Sequence, residues 1–434
     1  MTGSAETTGA GGAGPLAGIR VLEFTQIIAG PFGCQNLSDM GAEVIKVEPP
    51  EGEPWRIYGQ FTPGESKYFH SLNRGKRSLV LDLAQPEAQE VVARLVPDID
   101  IVVINYRPDV AEKLGIDYAR LSKIRPDLIY IDNTAWGRKG PWSHRPGYDI
   151  IAQAVSGLMA ADGKVDEGGA PGTITASPMA DYGTGIAIAW GACAALYHRE
   201  RTGQGQFIET SLLNTALAFQ GMYGMDLPAA DALKYEKMAM VADLRAQSAP
   251  YAEILEAHGA GGVPRVGNVY YRAYATKDGA VAVGALSPSL RAKVRAAIPT
   301  EFLGMYDPAF DARNPEHVAA ANLEVAKVEA RFRELTTAQW LERLEAHGVP
   351  CGPVNFVEEA MLDEQTLANE MTVPVDHETT GPETQVSPLL RMSLTPLRVQ
   401  GPSPVLGRHT DEILRSAGYA EDQIAALRQR GAIG

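Results

Sequence analysis

The sequence predicts an α/β protein whose larger part is a parallel, Rossmann-like sheet. From residue 18 to about 210, short β-branched runs alternate with amphipathic helical stretches. The runs are nearly continuous in apolar residues, as expected of strands covered on both faces. At 434 residues the chain exceeds one compact core, so a second domain is expected.

The elements follow in order. MTGSAETTGAGGAG has neither a basic start nor an apolar stretch, and it reads as a flexible tail over 1–14 rather than a signal peptide. Its glycines precede any strand, so they form no dinucleotide fingerprint. Strands are predicted at Ile19–Phe24, Glu43–Val47, Leu79–Leu83, Ile101–Ile104 and Leu128–Ile131, with helices near 32–40, 86–95, 109–114 and 149–158. Ligands in such sheets sit beyond the carboxyl ends of the strands. The first large-domain segment is read as 15–212, followed by a linker over 213–237. A smaller α+β domain over 238–330 contains the strand pair Val269–Ala275 and Ala280–Ala285, joined by TKDG with Gly279 in the left-handed position. A linker over 331–352 includes GVPCGPV, read as a rigid return connection, and 353–434 rejoins the large domain.

Composition narrows the function. Apolar residues make up 45% and charged residues 21%, as in a soluble globular protein. The net charge of −14 comes without clustered Lys and Arg, which argues against nucleic acid or an anionic membrane as partner. No apolar stretch is long enough to span a bilayer. Three scattered cysteines without CxxC fit a reduced cytoplasm, and the eight histidines show no metal-ligand spacing, so no metal is expected. No GxxxxGK[ST] or GxSxG occurs.

Four stretches carry possible chemistry. TQIIAGP (25–31) lies at a strand–turn–helix crossing. NRGKRSLVLDL (73–83) offers Arg74, Lys76 and Arg77, and VVINYRPDVAEKLG (102–115) offers Asn105, Tyr106, Arg107 and Lys113; basic groups near strand termini suit phosphates, although Lys and Arg are commonly just solvated. In PMADYGTGIAIAWGA (178–192), Asp181 precedes a helix of small residues. Aspartate there is either a helix N-cap or a reactive carboxylate, kept ionised by the helix dipole and backbone N–H groups.

Taken together, GIRVLEFTQIIAGP, DMGAEVIKVEPPEGEPWR, NRGKRSLVLDL, INYRPDVAEKLGIDY, RPGYDIIAQAVSGLM, MADYGTGIAIAWGACAALYHRERTGQGQ, GVPCGPV and LGRHTDEIL resemble, in order, the class III CoA-transferase family. The resemblance implies an interlocked homodimer, with a large domain built from both chain ends and a smaller domain between. It implies CoA transfer from an acyl-CoA to a carboxylic acid, with Asp181 as nucleophile and no permanently bound cofactor. Carried over by position, Ile28 and Ala29 contact CoA, and Leu81, Asp82 and Leu83 line its adenine end. Asn105, Tyr106, Arg107 and Lys113 meet its phosphates and ribose, and Tyr148 and Asp149 flank the thioester. The glycine-rich GAGGV (259–263) lies where family members carry a mobile active-site loop. The chain departs from the formyl-CoA branch at Gln26-Ile27-Ile28 and Pro49, which argues against formate or oxalate. The GYDxxxxAxSGLM form resembles members that use succinyl-CoA and small dicarboxylates, and Arg56 and Arg145 are candidates for a distal carboxylate. An α-methylacyl-CoA racemase of the same fold is the alternative, but it needs a histidine where this chain has Tyr148, and tyrosine does not titrate near neutrality. A non-catalytic CoA-binding relative would be expected to lack Asp181.

Overall fold

The computed structural model describes residues 14–174, 177–260, 267–298, 300, 306–311 and 314–434. The expected tail lies outside them except for Gly14. The chain divides into two compact units, Met1–Asp166 with Pro171–Met225 and Ala368–Gly434, and Glu167–Ala170 with Asp226–Leu367. Both chain ends therefore build the larger unit.

That unit is organised by six parallel strands: β1 (Arg20–Phe24), β2 (Glu43–Glu48), β3 (Arg77–Val80), β4 (Ile101–Ile104), β5 (Ile129–Thr134) and β6 (Phe207–Ser211). Their order is β3-β2-β1-β4-β5-β6. The direction of winding reverses between β1 and β4, and the carboxyl ends of those two strands flank the switch point where doubly wound sheets bind ligands.

Strand periodicity sends alternate residues to opposite faces. Leu22, Phe24, Ile45, Val47, Val102 and Ile104 belong to one core, which the chain's C-terminal segment closes with Ile413, Leu414, Ile424 and Leu427. Val21, Val44, Ile101, Val103, Ile129 and Ile131 belong to the other, with Cys34, Leu37, Ile188 and Ala192. The last four come from helices α1 (Ala29–Asp39) and α5 (Met179–Thr202); between these in sequence lie α2 (Lys67–Asn73), α3 (Pro108–Lys113) and α4 (Asp149–Ser156).

The small residues of α5 have a packing cause. A Cβ on Gly33 would fall 2.8 Å from the Ile188 side chain, and one on Gly185 would fall 2.9 Å from the Ala29 carbonyl oxygen. Glycine at both positions lets α1 and α5 touch backbone to backbone. The start of α1 is thereby brought against the first turn of α5.

The smaller unit holds a three-stranded antiparallel sheet of β7 (Tyr271–Ala275), β8 (Ala280–Gly284) and β9 (Cys351–Pro353), in the order β9-β8-β7. Two expectations change here. GVPCGPV is not a connection, because its Cys351–Pro353 pairs with β8 as an edge strand. The span read as a linker includes the helix Thr337–Ala346, started by a Thr336/Gln339 capping box, and its Trp340 and Leu344 are core residues of this unit. Gly279 does not adopt the left-handed conformation. Instead the turn is closed by Gly279 N–H donating to Thr276 Oγ1 at 3.0 Å and Thr276 N–H donating to the Gly279 carbonyl at 2.9 Å.

The larger unit also holds a hairpin of β10 (Thr372–His377) and β11 (Gly381–Val386) and a short antiparallel pair, Gln60–Thr62 with Glu65–Ser66. No helix among the described residues is long and apolar enough to cross a membrane.

Candidate active site

The chain leaving β1 turns sharply before entering α1. Ile27, in that turn, has φ 72°, a left-handed conformation that a residue branched at Cβ adopts only under strain. The turn is tied to its surroundings on both sides. The Asn105 amide, just past β4, accepts from the Gln26 N–H at 3.0 Å and donates to the Gln26 carbonyl at 2.8 Å. On the other side the Ile27 N–H donates to Glu53 Oε2 at 2.7 Å. The switch point is thus bridged by hydrogen bonds rather than left open.

Asp181 is the third residue of α5 and is 8% exposed. It does not cap that helix: Pro178 holds the N-cap position without a side-chain bond. The capping acceptor comes from Asp149 at the start of α4, whose Oδ1 accepts from the N–H groups of Ala180 at 2.7 Å and Asp181 at 3.1 Å. Asp149 Oδ2 accepts from the Gln153 amide. The Asp181 carboxylate, released from capping, lies near the head of α1, where the backbone N–H of Ala29 favours its charged form.

The charge expectation for Asp181 changes with this geometry. Burial, and then the neighbouring Asp149 charge, push its carboxyl up to about 7, and the Ala29 N–H offsets only part of that. The helix dipole and N–H groups do not keep the group fully ionised at neutrality, because among the described residues no cation offsets its burial. A carboxylate this basic is a stronger nucleophile than an exposed one, and such perturbed groups cluster at functional sites.

Two hollows meet at Asp181. One, of about 240 Å³, is lined by Gln26, Asn105, Tyr106, Arg107, Val110, Asn133, Thr134 and Leu212. The other, of about 500 Å³, is lined by Ile28, Trp55, Tyr58, Tyr68, Ser71, Leu72, Asp149, Gln153, Ser177 and Tyr182. Ile27, Tyr148 and Asp181 belong to both walls. Trp55, Tyr58 and Tyr68 pack as a trio with ring centroids 5.0–5.2 Å apart, forming a broad aromatic face on the larger hollow.

A model of CoA-transferase family III matches residues 16–410. The chain belongs to this family. It is 35% identical to succinyl-CoA:glutarate CoA-transferase of Mus musculus over 96% of this chain and 90% of that protein. It is 34% identical to acetyl-CoA:oxalate CoA-transferase of Acetobacter aceti over 85% and 88%. Among solved structures, a CAIB/BAIF family protein from Brucella suis superposes with a TM-score of 0.71 at 30% identity, over 94% of this chain and all of that one.

The structure gathers most, but not all, of this CoA-transferase's sequence-predicted site. Ile28, Ala29, Asn105, Tyr106, Arg107, Tyr148 and Asp149 surround Asp181 or line the hollows. Leu81 and Leu83 do not. β3 ends at Val80, both leucines are buried in the core closed by the C-terminal segment, and the Asp82 N–H is taken by the Ala432 carbonyl. Lys113, exposed at the end of α3, lines neither hollow. Arg74 and Lys76 are buried counter-ions of Asp39 and Glu23, and Arg77 pairs with Glu43 and Glu412. Arg56 is 1% exposed and bidentate on Glu48, which leaves it unable to reach a substrate carboxylate; Arg145 lies over Trp142. The glycine stretch 259–263 lies outside the described residues beyond Ala260.

Sequence reasoning missed Glu53, the aromatic trio and Tyr182. Only Pro54 at the start of the short helix Pro54–Ile57 signalled order near the first two. It also missed the meeting of Glu65, His70 and His377, which offer ligand atoms within 4.8 Å of one another. His70 donates from Nε2 to Glu65 at 2.7 Å and from Nδ1 to Glu383, and the His377 ring stacks on it. His377 Nδ1 accepts the N–H groups of Thr379 and Thr380 at 3.2 and 3.3 Å, so its Nε2 carries the proton and offers no lone pair to an ion. The cluster therefore has the donor pattern of a charged imidazole between carboxylates, not of a metal centre.

Proposed function

We propose that this enzyme transfers CoA through Asp181. The observation that carries the reading is the place of Asp181, a buried and abnormally basic carboxylate at the junction of both hollows. Its oxygen attacks the donor acyl-CoA carbonyl, breaking the C–S bond and giving a mixed anhydride and CoA thiolate. The thiolate attacks the aspartyl carbonyl, releasing the donor acid and leaving an aspartyl-CoA thioester. The acceptor carboxylate then attacks that thioester, and the returning thiolate cleaves the new anhydride at the acceptor's carbonyl. The products are the new acyl-CoA and free Asp181, with no net proton or water consumed.

The smaller hollow, with Asn105, Tyr106 and exposed Arg107 beside Gln26 and Ile27, suits the CoA portion. The larger, with its aromatic face, suits the acyl group and shields the anhydride from water. Asp149 orients α5 through its cap and keeps the nucleophile basic. The donor we propose is succinyl-CoA and the acceptor a small dicarboxylate, on the strength of the similarity to succinyl-CoA:glutarate CoA-transferase. No arginine the sequence suggested for a distal carboxylate lines either hollow, so such a group would be met by Ser71, Gln153 or the tyrosine hydroxyls.

We also propose an interlocked homodimer in the cytoplasm. Ile186, Trp190 and Tyr197 expose 51%, 74% and 65% of their surface along α5, as expected of a face covered by a second chain. The three cysteines are free thiols, as a reducing compartment requires. Light scattering on the purified protein tests the dimer.

Incubation with succinyl-CoA or acetyl-CoA and hydroxylamine, followed by peptide mass spectrometry, tests the mechanism. A hydroxamate on Asp181 is expected; turnover with an unmodified Asp181 would refute it. A panel of carboxylic acids under the same donors identifies the acceptor.

A further inference from the structure

Glu53 takes no part in the chemistry above, yet it is buried where it can govern it. It is 2% exposed, with one oxygen 2.7 Å from the Ile27 nitrogen and the other 3.0 Å from Lys46 Nζ. Lys46 is itself fully buried against Glu23 at 3.1 Å and the Thr25 carbonyl at 2.9 Å, so the carboxylate is braced from the sheet side. The group it holds is unusual. Ile27 stands in a left-handed conformation that glycine would enter freely and a β-branched side chain resists. Such a conformation persists only where its surroundings over-determine it, and the described partner of the Ile27 N–H is Glu53. Two residues on, the chain presents the Ala29 N–H to the Asp181 carboxylate. If Ile27 relaxed toward extended backbone, the head of α1 would lose the alignment that delivers that N–H.

We infer that Glu53 is a positioning residue for CoA transfer, holding Ile27 left-handed so that the Ala29 N–H stays aimed at Asp181. This rests on Asp181 being the nucleophile. The strain supplies the test, because glycine at position 27 removes the need for the brace. Glu53→Ala, Glu53→Gln, Ile27→Gly and the Ile27→Gly/Glu53→Ala double variant are compared for kcat, KM for acyl-CoA and pH profile. In the native background Glu53→Ala should lower kcat by about tenfold or more while KM moves less than about threefold. In the Ile27→Gly background the same change should cost less than about threefold, a coupling that a merely structural counter-ion would not show. In the native background the acid limb of Glu53→Ala should move up by about half a unit or more, because the Asp181 carboxylate loses the Ala29 N–H that favours its charged form. Glu53→Gln keeps an acceptor oxygen and should recover most of what Glu53→Ala loses.

Equal losses in both backgrounds, or a Glu53→Gln variant as impaired as Glu53→Ala, would reduce Glu53 to a partner of Lys46 and overturn the inference. Should Glu53→Ala fail to fold, Glu53→Gln alone decides, since it keeps the brace and loses the ion pair. Absence of an aspartyl adduct in the wild type would instead remove the underlying mechanism, which keeps the two failures distinct.

Discussion

The larger unit buries two sets of carboxylates and treats them in opposite ways. Under β1 and β2, Glu23, Glu48 and Glu53 are matched by Lys46, Lys76 and Arg56, three negative charges against three positive, at contacts of 2.7–3.1 Å. At the head of α5, Asp181 and Asp149 share a site with backbone N–H groups and, among the described residues, no ion-pair partner. Burial disfavours both sets. In the first, Lys46 and Lys76 hold the Glu23 carboxyl, and Arg56 the Glu48 carboxyl, below the ordinary range despite that cost, while burial leaves Glu53 above it. In the second nothing outweighs it, and Asp181 rises to about 7. Compensated charge makes scaffold, and uncompensated charge is left available for reaction.

The comparison breaks most sharply at Asp181. Asp181→Ala should reduce transfer by on the order of 10³ or more while CoA binding persists, measured by turnover and by calorimetric titration with CoA. Its charge also costs stability. Because the folded-state pKa lies above the unfolded value of 3.8, stability falls as pH rises from about 4 through about 7. Asp181→Asn should therefore raise the unfolding free energy more at pH 8 than at pH 5, by an upper bound of about 2.6 kcal/mol.

The compensated set should respond in stability. Lys46→Met leaves Glu23 and Glu53 buried without that cation and should cost about 3–5 kcal/mol in urea unfolding. A smaller loss, about 1.5–3 kcal/mol, is expected for His70→Gln, which removes charged hydrogen bonds from α2 to Glu65 and to Glu383 of the β10–β11 hairpin. Burial opposes the charged His70 ring, but Glu65 and Glu383 outweigh it and raise its pKa. Its contribution is thus full below the ordinary imidazole value and is lost as pH rises through the higher folded one. Wild type and variant should converge in stability at alkaline pH.

The smallest effect sharpens the comparison. Asp149→Asn keeps a capping oxygen but removes a like charge, so the Asp181 pKa should drop. The acid limb of the pH–rate profile should shift downward by about one unit. An unchanged profile would mean that burial alone sets the basicity.

Much of this was legible in the chain. Alternating apolar runs announced the parallel sheet, since covered strands must be apolar on both faces, and β1, β2 and β4 begin and end within a residue of expectation. Asp181, Asn105 and Tyr148 were recognisable because their motifs are local. The misplaced residues share a different cause. Arg56, Arg74 and Lys76 look like ligands for phosphate or carboxylate in one dimension, and only the folded chain shows each spent on a buried partner 8 to 53 positions away.

By itself, then, the sequence determined the layered architecture, the family and the carboxylate proposed to react, because those follow from periodicity and short contiguous motifs. Tertiary structure alone decided that Asp149 rather than Asp181 caps α5, that the strained turn at Ile27 leans on Glu53, and that the Asp181 carboxyl is abnormally basic. Each depends on which charges lie near which in space, and burial acts on those distances without regard to separation along the chain.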